Sequence, residues 1–168
     1  MKVKQKVAAL ILCGIFGMVT QVNAQIKPMA EMPQMPAGNL MVMPSEIVWG
    51  PGPPGLPPGS QSAVLEGDPS KPELFVLRAK IPAGWKVMPH THPCDEHITV
   101  IDGNCFMGMG NKYDEKVATE MPTGGFMNMK TGTVHYFFTK KACIIQIQDM
   151  GPWGITYVNS ADDPRNKK

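Results

Sequence analysis

Between Ala63 and Asn159 the chain is interrupted by Gly, Pro and Asp so often that no stretch after the first 24 residues has the length of an ordinary helix. What remains between the interruptions are short runs, apolar or alternating, of the kind that form half-buried strands. Glu73 to Ile81 is the plainest of them: Phe75, Leu77, Ala79 and Ile81 fall on one face, Arg78 and Lys80 on the other. Ala142 to Asp149 behaves likewise, with Cys143, Ile145 and Ile147 on one side and Ile144, Gln146 and Gln148 on the other. Further strands are predicted at Ala63 to Glu66, Glu96 to Ile101, Phe126 to Met129, Thr133 to Thr139 and Ile155 to Asn159. The fold class is therefore all-β, and 168 residues suffice for one such domain.

The two ends read differently. Lys2, Lys4 and Lys6 precede an uncharged apolar run from Val7 to Val19, and Val22-Asn23-Ala24 follows. This order predicts a signal peptide at 1–24, too short in its apolar part to span a bilayer comfortably, and hence an exported protein, periplasmic or secreted. Residues 25–44 are rich in Met and Pro and are expected to be a mobile segment; its thioethers suit Cu(I), or simply fill a linker. An extended arm is expected at Ile47 to Trp49, the barrel domain at 45–159 and a polar tail at 160–168. That arm is also where pairing with a second copy, giving a homodimer, would be sought.

Charge and cysteine content exclude two classes. Three of the 16 basic residues lie in the leader and all 14 acidic residues lie outside it, so the remainder carries 13 − 14 = −1. A near-neutral chain with no basic run except Arg165 to Lys168 is not expected to bind nucleic acid, and nothing after the leader calls for a membrane. Cys94, Cys105 and Cys143 are three thiols, an odd number that does not make a disulfide scaffold.

The chemistry concentrates in GWKVMPHTHPCDEHITVIDG, residues 84–103. Alternate side chains of an extended strand share a face, so His90 and His92 project two imidazoles into one space. Glu96 is close enough to add a carboxylate oxygen, and His135 is a candidate fourth ligand. Imidazoles with a carboxylate suit one divalent transition metal among Mn, Fe, Ni, Cu and Zn. Asp102-Gly103 favours a tight hairpin, and pairing about it would set Val100 opposite Cys105, Ile98 opposite Met107 and Glu96 opposite Met109. The mirror register would turn His97 inward instead. With Glu96 inside, Met107, Met109 and Phe137 would wall a pocket beside the metal, and Gln146 would be a candidate hydrogen-bonding group. Such a wall suits a small, largely apolar ligand or dioxygen. His97 is expected on the outer face, Cys94 as a loop thiol and Asp95 toward solvent.

These residues bring out a resemblance to the cupin superfamily. Its first motif, G-x5-H-x-H-x3-E-x6-G, is matched at Gly84, His90, His92, Glu96 and Gly103, a coincidence of order 10⁻⁷ at any one start site from average composition. Its second, G-x5-P-x-G-x2-H-x3-N, is matched at Gly124, Gly132 and His135, with Lys130 where proline is usual and Thr139 where asparagine is usual. The resemblance covers residues 45–159 and implies a small double-sheet jelly-roll barrel with a metal held by His90, His92, Glu96 and His135. It implies no single reaction, since the same barrel serves enzymes and binding proteins alike. Two classes stay open: a metal-dependent enzyme of dioxygenase or lyase type acting on a small organic molecule, and a non-catalytic cupin that binds metal or a small ligand. A second polar group aimed at the metal would separate them, and the sequence offers only the glutamines and Tyr136.

Overall fold

A computed structural model describes residues 37–167. The expected leader at 1–24, and the Met/Pro-rich segment as far as residue 36, lie outside the described residues. From Leu40 onward the chain forms one compact unit. Among the described residues eleven strands run in order: β1 (Gly50–Pro51), β2 (Gln61–Glu66), β3 (Leu74–Ile81), β4 (Lys86–Thr91), β5 (Glu96–Asp102), β6 (Asn104–Met109), β7 (Thr119–Pro122), β8 (Phe126–Met129), β9 (His135–Phe138), β10 (Cys143–Met150) and β11 (Thr156–Tyr157). Helical structure among the described residues is limited to three short 3₁₀ turns, and none is long or apolar enough to cross a membrane.

The strands make two antiparallel sheets, ordered β1-β2-β3-β10-β5-β8 and β11-β4-β9-β6-β7, stacked as a double-sheet barrel. The alternation of β3 and β10 is as the sequence predicts: Phe75, Leu77, Ala79 and Ile81 are buried against Cys143, Ile145 and Ile147. From the other sheet Val87, Cys105, Met107 and Phe137 complete the lumen lining and core. The outer face of β6 and β9 carries a second apolar cluster, Phe106, Tyr136 and Phe138, over which the charged stretch at 112–120 lays Tyr113 and Ala118. Tyr113 lies 5.1 Å from the Tyr136 ring and 5.7 Å from Phe138, so that stretch is a packed cover ending in β7.

Three expectations are corrected. Asp102-Gly103 does not close a hairpin: β5 pairs with β10 and β8, while β6 pairs with β9 and β7. Gly103 has φ +74°, as a tight turn requires, but the turn passes the chain from one sheet to the other. A Cβ there would come within 2.6 Å of the Ala142 carbonyl oxygen, so the glycine serves a close crossing over the start of β10. Burial of both strand flanks in separate sheets outweighs the local turn preference. Glu96 therefore faces Met129 across the ladder, and Met109 faces His135. Met109, secondly, ends β6 at the barrel rim and is 55% exposed, so it lines no lumen. Gln146, thirdly, lies on the outer face of β10, where its Oε1 accepts from Arg78 Nε at 3.0 Å.

The N-terminal arm leaves a helical turn and starts extended, with Ile47 at φ −69° and ψ 115°. A 3₁₀ turn at Pro44–Glu46 precedes Trp49, whose ring sits 4.2 Å under Lys80 Nζ. The proline-rich stretch after β1 then forms a strap across the lumen. Tyr157 donates its hydroxyl to Gly55 O at 2.9 Å, and Trp85 Nε1 donates to Pro57 O and Pro58 O, each at 3.1 Å. Polar residues 160–167 contain two 3₁₀ turns, and Arg165 Nη2 returns to Ile155 O at 3.1 Å.

Candidate metal centre

Three strands and one loop deliver the site. His90 lies near the end of β4, His92 just beyond it, Glu96 opens β5 and His135 opens β9. In the β4–β9 ladder Val87 pairs with Phe137 and His90 with His135, three residues of advance on β4 against two on β9. The extra residue is a bulge around Met88-Pro89, where proline has no N–H to lose from the ladder. Without it, alternation from the inward Val87 would send His90 outward. With it, His90, His92 and His135 are 3%, 5% and 1% exposed and point into one space.

The rings stand close. Centroid separations are 4.3 Å for His90 to His135, 4.9 Å for His90 to His92 and 5.3 Å for His92 to His135. One ligand nitrogen from each falls within 4.8 Å of the others, a spacing able to hold a metal ion. Glu96 Oε2 is 3.3 Å from both His92 Nε2 and His135 Nε2.

Each imidazole is fixed by a carbonyl at its far nitrogen. His90 Nδ1 donates to Met88 O at 2.7 Å, His135 Nδ1 to Thr133 O at 3.0 Å and His92 Nδ1 to Gly154 O at 2.5 Å. With the proton held at Nδ1, the Nε2 lone pair of each ring is turned to the centre, the arrangement found behind metal-bound histidines. His92 Nε2 is buried with no hydrogen-bond partner in the protein; Glu96 is near it without hydrogen-bonding geometry. An orphaned buried nitrogen of this kind fits an ion. Burial first, then the neighbouring His135 and His92, pushes His90 down to about 3, and burial also lowers His92 against the pull of Glu96. Burial would raise the Glu96 carboxyl, but the His135, His92 and His90 rings around it outweigh that and hold it below its ordinary value. Neutral imidazoles and an ionised carboxylate are the forms that bind metal.

The two departures from the second motif have structural substitutes. Lys130 Nζ reaches Asp95 Oδ2 at 2.7 Å, and Asp95 Oδ1 accepts from Thr131 N and Oγ1, each at 2.9 Å. Asp95 thus clasps the turn that leads to His135. Thr139, 2% exposed, donates its hydroxyl to Pro82 O at 2.6 Å and accepts from Trp85 N at 3.2 Å. It ties the end of β9 to the turn before β4.

Below the rings lies a cavity of about 50 Å³, lined almost wholly by carbon, with Phe75, Ile98, Met107, Phe137 and Ile147 among its walls. Met107 and Phe137 are where the sequence placed them; Met109 and Gln146 are not. Tyr136 also faces outward, donating to Asp114 O at 2.7 Å. His97 is on the outer side, partly exposed, with its Nδ1 2.6 Å from Asp149 Oδ1. Cys94, Cys105 and Cys143 are all free. The residues that sequence reasoning missed are Trp153, stacked on His92 at 5.1 Å and 24°, and the strap residues Pro53 and Leu56. A tryptophan isolated among glycines and proline in GPWG was the available signal, because so large an apolar ring is seldom left on a loop without a surface to cover.

Comparison with known proteins agrees with this architecture. No curated protein sequence matches the chain. Among solved structures, the polyketide cyclase RemF from Streptomyces resistomycificus superposes with a TM-score of 0.58 at 15% identity, covering 74% of this chain and 89% of that one. Salicylate 1,2-dioxygenase from Pseudoaminobacter salicylatoxidans gives 0.50 at 11%, covering 62% and 30%. A cupin superfamily protein from Desulfitobacterium hafniense gives 0.46 at 9%, covering 55% and 77%. At these identities the likeness is one of fold. Residues 25–155 match the sequence family described as "Domain of unknown function (DUF4437)", and the chain belongs to that family.

Proposed function

We propose that this barrel is a metal-dependent enzyme of dioxygenase or lyase type, acting outside the cytoplasm on a small organic molecule, with His90, His92, Glu96 and His135 as the ligands. The observation that carries the reading is the set of three buried imidazoles, each locked by a backbone carbonyl so that its free nitrogen meets the others above an apolar cavity. A divalent ion held there would supply Lewis acidity, and redox chemistry if it is iron. The protein's own residues do the remainder. Glu96 brings negative charge beside two of the rings, the carbonyls of Met88, Gly154 and Thr133 keep protons at Nδ1, and the strap and carbon walls exclude water. The fold hosts such chemistry elsewhere, since one barrel similar to this one is a polyketide cyclase and another a salicylate dioxygenase. Export is supported by the leader reading of residues 1–24.

A second reading, a non-catalytic barrel that binds metal or a small ligand, is favoured by one feature. Apart from the four proposed ligands, the polar residues lining the cavity are Ser60, Gln61 and the two indoles Trp85 and Trp153, none of which is a general base. The test is metal content of protein purified without chelator, for wild type and His135→Ala. One Mn, Fe, Ni, Cu or Zn per chain, lost in the variant, is the expected result. A wild-type protein that is empty and also refuses added metal would end the metalloenzyme reading.

A further inference from the structure

The loop after β10 does more than close the barrel. Gly151 N donates to Glu73 O at 2.9 Å and Trp153 N to Pro69 O at 2.7 Å, so the loop is pinned to the chain before β3. Gly154 O holds the His92 ring, and the Trp153 indole lies nearly parallel over that ring while also lining the cavity. Trp153 Nε1 is buried and no acceptor in the protein reaches it. Two comparisons give that fact weight. Trp85, whose ring lines the same cavity, has its N–H satisfied by Pro57 and Pro58. Ser60 Oγ, also buried without a partner, is turned toward the strap, since a Cβ on Gly52 would fall 2.2 Å from it.

An indole N–H can only donate, and a buried donor left unpaired is unfavourable unless something that enters the site pairs with it. The walls around it are carbon, and no Lys or Arg lines the cavity, so the body of the entering molecule is uncharged and apolar. The volume of about 50 Å³ corresponds to roughly three to five water-sized units, hence a molecule of about half a dozen non-hydrogen atoms.

We propose that the lumen takes a compact neutral molecule bearing a carbonyl oxygen, and that Trp153 is a specificity residue that selects it by donating the indole N–H to that oxygen. The proposal rests on reading the lumen as a small-molecule site, and it does not need the ion. It is tested with two probes of equal shape, pentan-2-one and 2-methylpent-1-ene, which differ only in C=O against C=CH₂. Binding to the folded chain is measured by titration calorimetry and by NMR of the indole N–H, with chelator and with added Zn. In chelated wild type the ketone binds about tenfold more tightly than the alkene, as one hydrogen bond in a dry site implies. The Trp153 N–H resonance moves with the ketone and not with the alkene. Trp153→Phe keeps a ring over His92, removes the donor and abolishes the preference. A preference unchanged in Trp153→Phe, equal binding of both probes, or no binding of either overturns the proposal. Should the variant not fold, the wild-type resonance decides alone, and a shift no larger with ketone than with alkene overturns it. A chain that takes up no Zn yet shows the Trp153-dependent preference would remove the metal reading and leave this one standing.

Discussion

Replacing Thr139 by valine preserves shape and removes one hydroxyl, at a position 2% exposed. That hydroxyl joins Pro82 O at 2.6 Å and Trp85 N at 3.2 Å. In the variant Trp85 N stays buried and loses its side-chain partner, Pro82 O belongs to an exposed residue and turns to water, and the main-chain bonds Gly84 N to Thr139 O and Thr139 N to Trp85 O, each 3.0 Å, persist. An abandoned buried donor costs about 1–3 kcal/mol, and only Trp85 N is left so, which sets the cost of the substitution at about 1–3 kcal/mol. With an m-value of about 2 kcal/mol/M, the urea midpoint should fall by about 0.5–1.5 M at an unchanged slope. Thr139→Asn, which restores a donor and an acceptor, should recover part of that shift. A Thr139→Val midpoint within about 0.3 M of wild type would refute the reasoning, because it would mean that water or backbone relaxation satisfies Trp85 N.

Stability of the chelated protein should fall with acid. His90 is held at about 3 in the fold and returns to its ordinary value near 6.5 on unfolding, so below pH 6.5 the unfolded chain binds protons that the folded one refuses. His92, lowered by burial, acts in the same direction, and each titrating group contributes at most about 1.4 kcal/mol per pH unit. Urea midpoints at pH 7.5, 6 and 5 in chelator check this, and a flat series would contradict it. Ile147→Ala, a truncation in the lumen wall, should lower stability by about 2–5 kcal/mol by urea titration while admitting larger probes, and a smaller loss would mean the wall collapses inward. Burial pushes Cys105 up to about 12 and Cys143 up to about 11, so in a chain begun at Gln25 a thiol reagent at pH 8 should find at most Cys94, itself raised to about 11 and slow, and should find three thiols only in denaturant. Rapid reaction of more than one native thiol would contradict the packing.

The sequence carried the barrel because its signals are local. Alternation in β3 and β10 names their inward residues, and His-x-His with Glu96 four residues on needs only a strand and a turn. What it could not carry depends on partners distant in the chain. Asp102-Gly103 encodes a tight turn and nothing about which sheet receives the strand that follows. β6 runs on past Met107 to Met109 at the exposed rim, and alternation alone does not mark where that rim falls. Gln146 and Gln148 were ambiguous between two faces, and only the burial of Ile145 and Ile147 decides. The bulge at Met88-Pro89 was hinted at by a proline in the middle of a strand, yet its effect, turning His90 inward, appears only against β9.

The three carbonyls behind the histidines differ in origin. Met88 and Thr133 stand two residues ahead of the rings they hold, so those rings are oriented as soon as their own strands form. Gly154 stands 62 residues from His92. That ring is therefore set only when the last loop of the barrel has docked, and a chain ending before Gly154 would have its donor atoms in place except for one imidazole free to turn. Capture of an ion by all three rings would then serve as a sign that synthesis and folding had reached the carboxyl-terminal end, a form of self-inspection written into a single hydrogen bond.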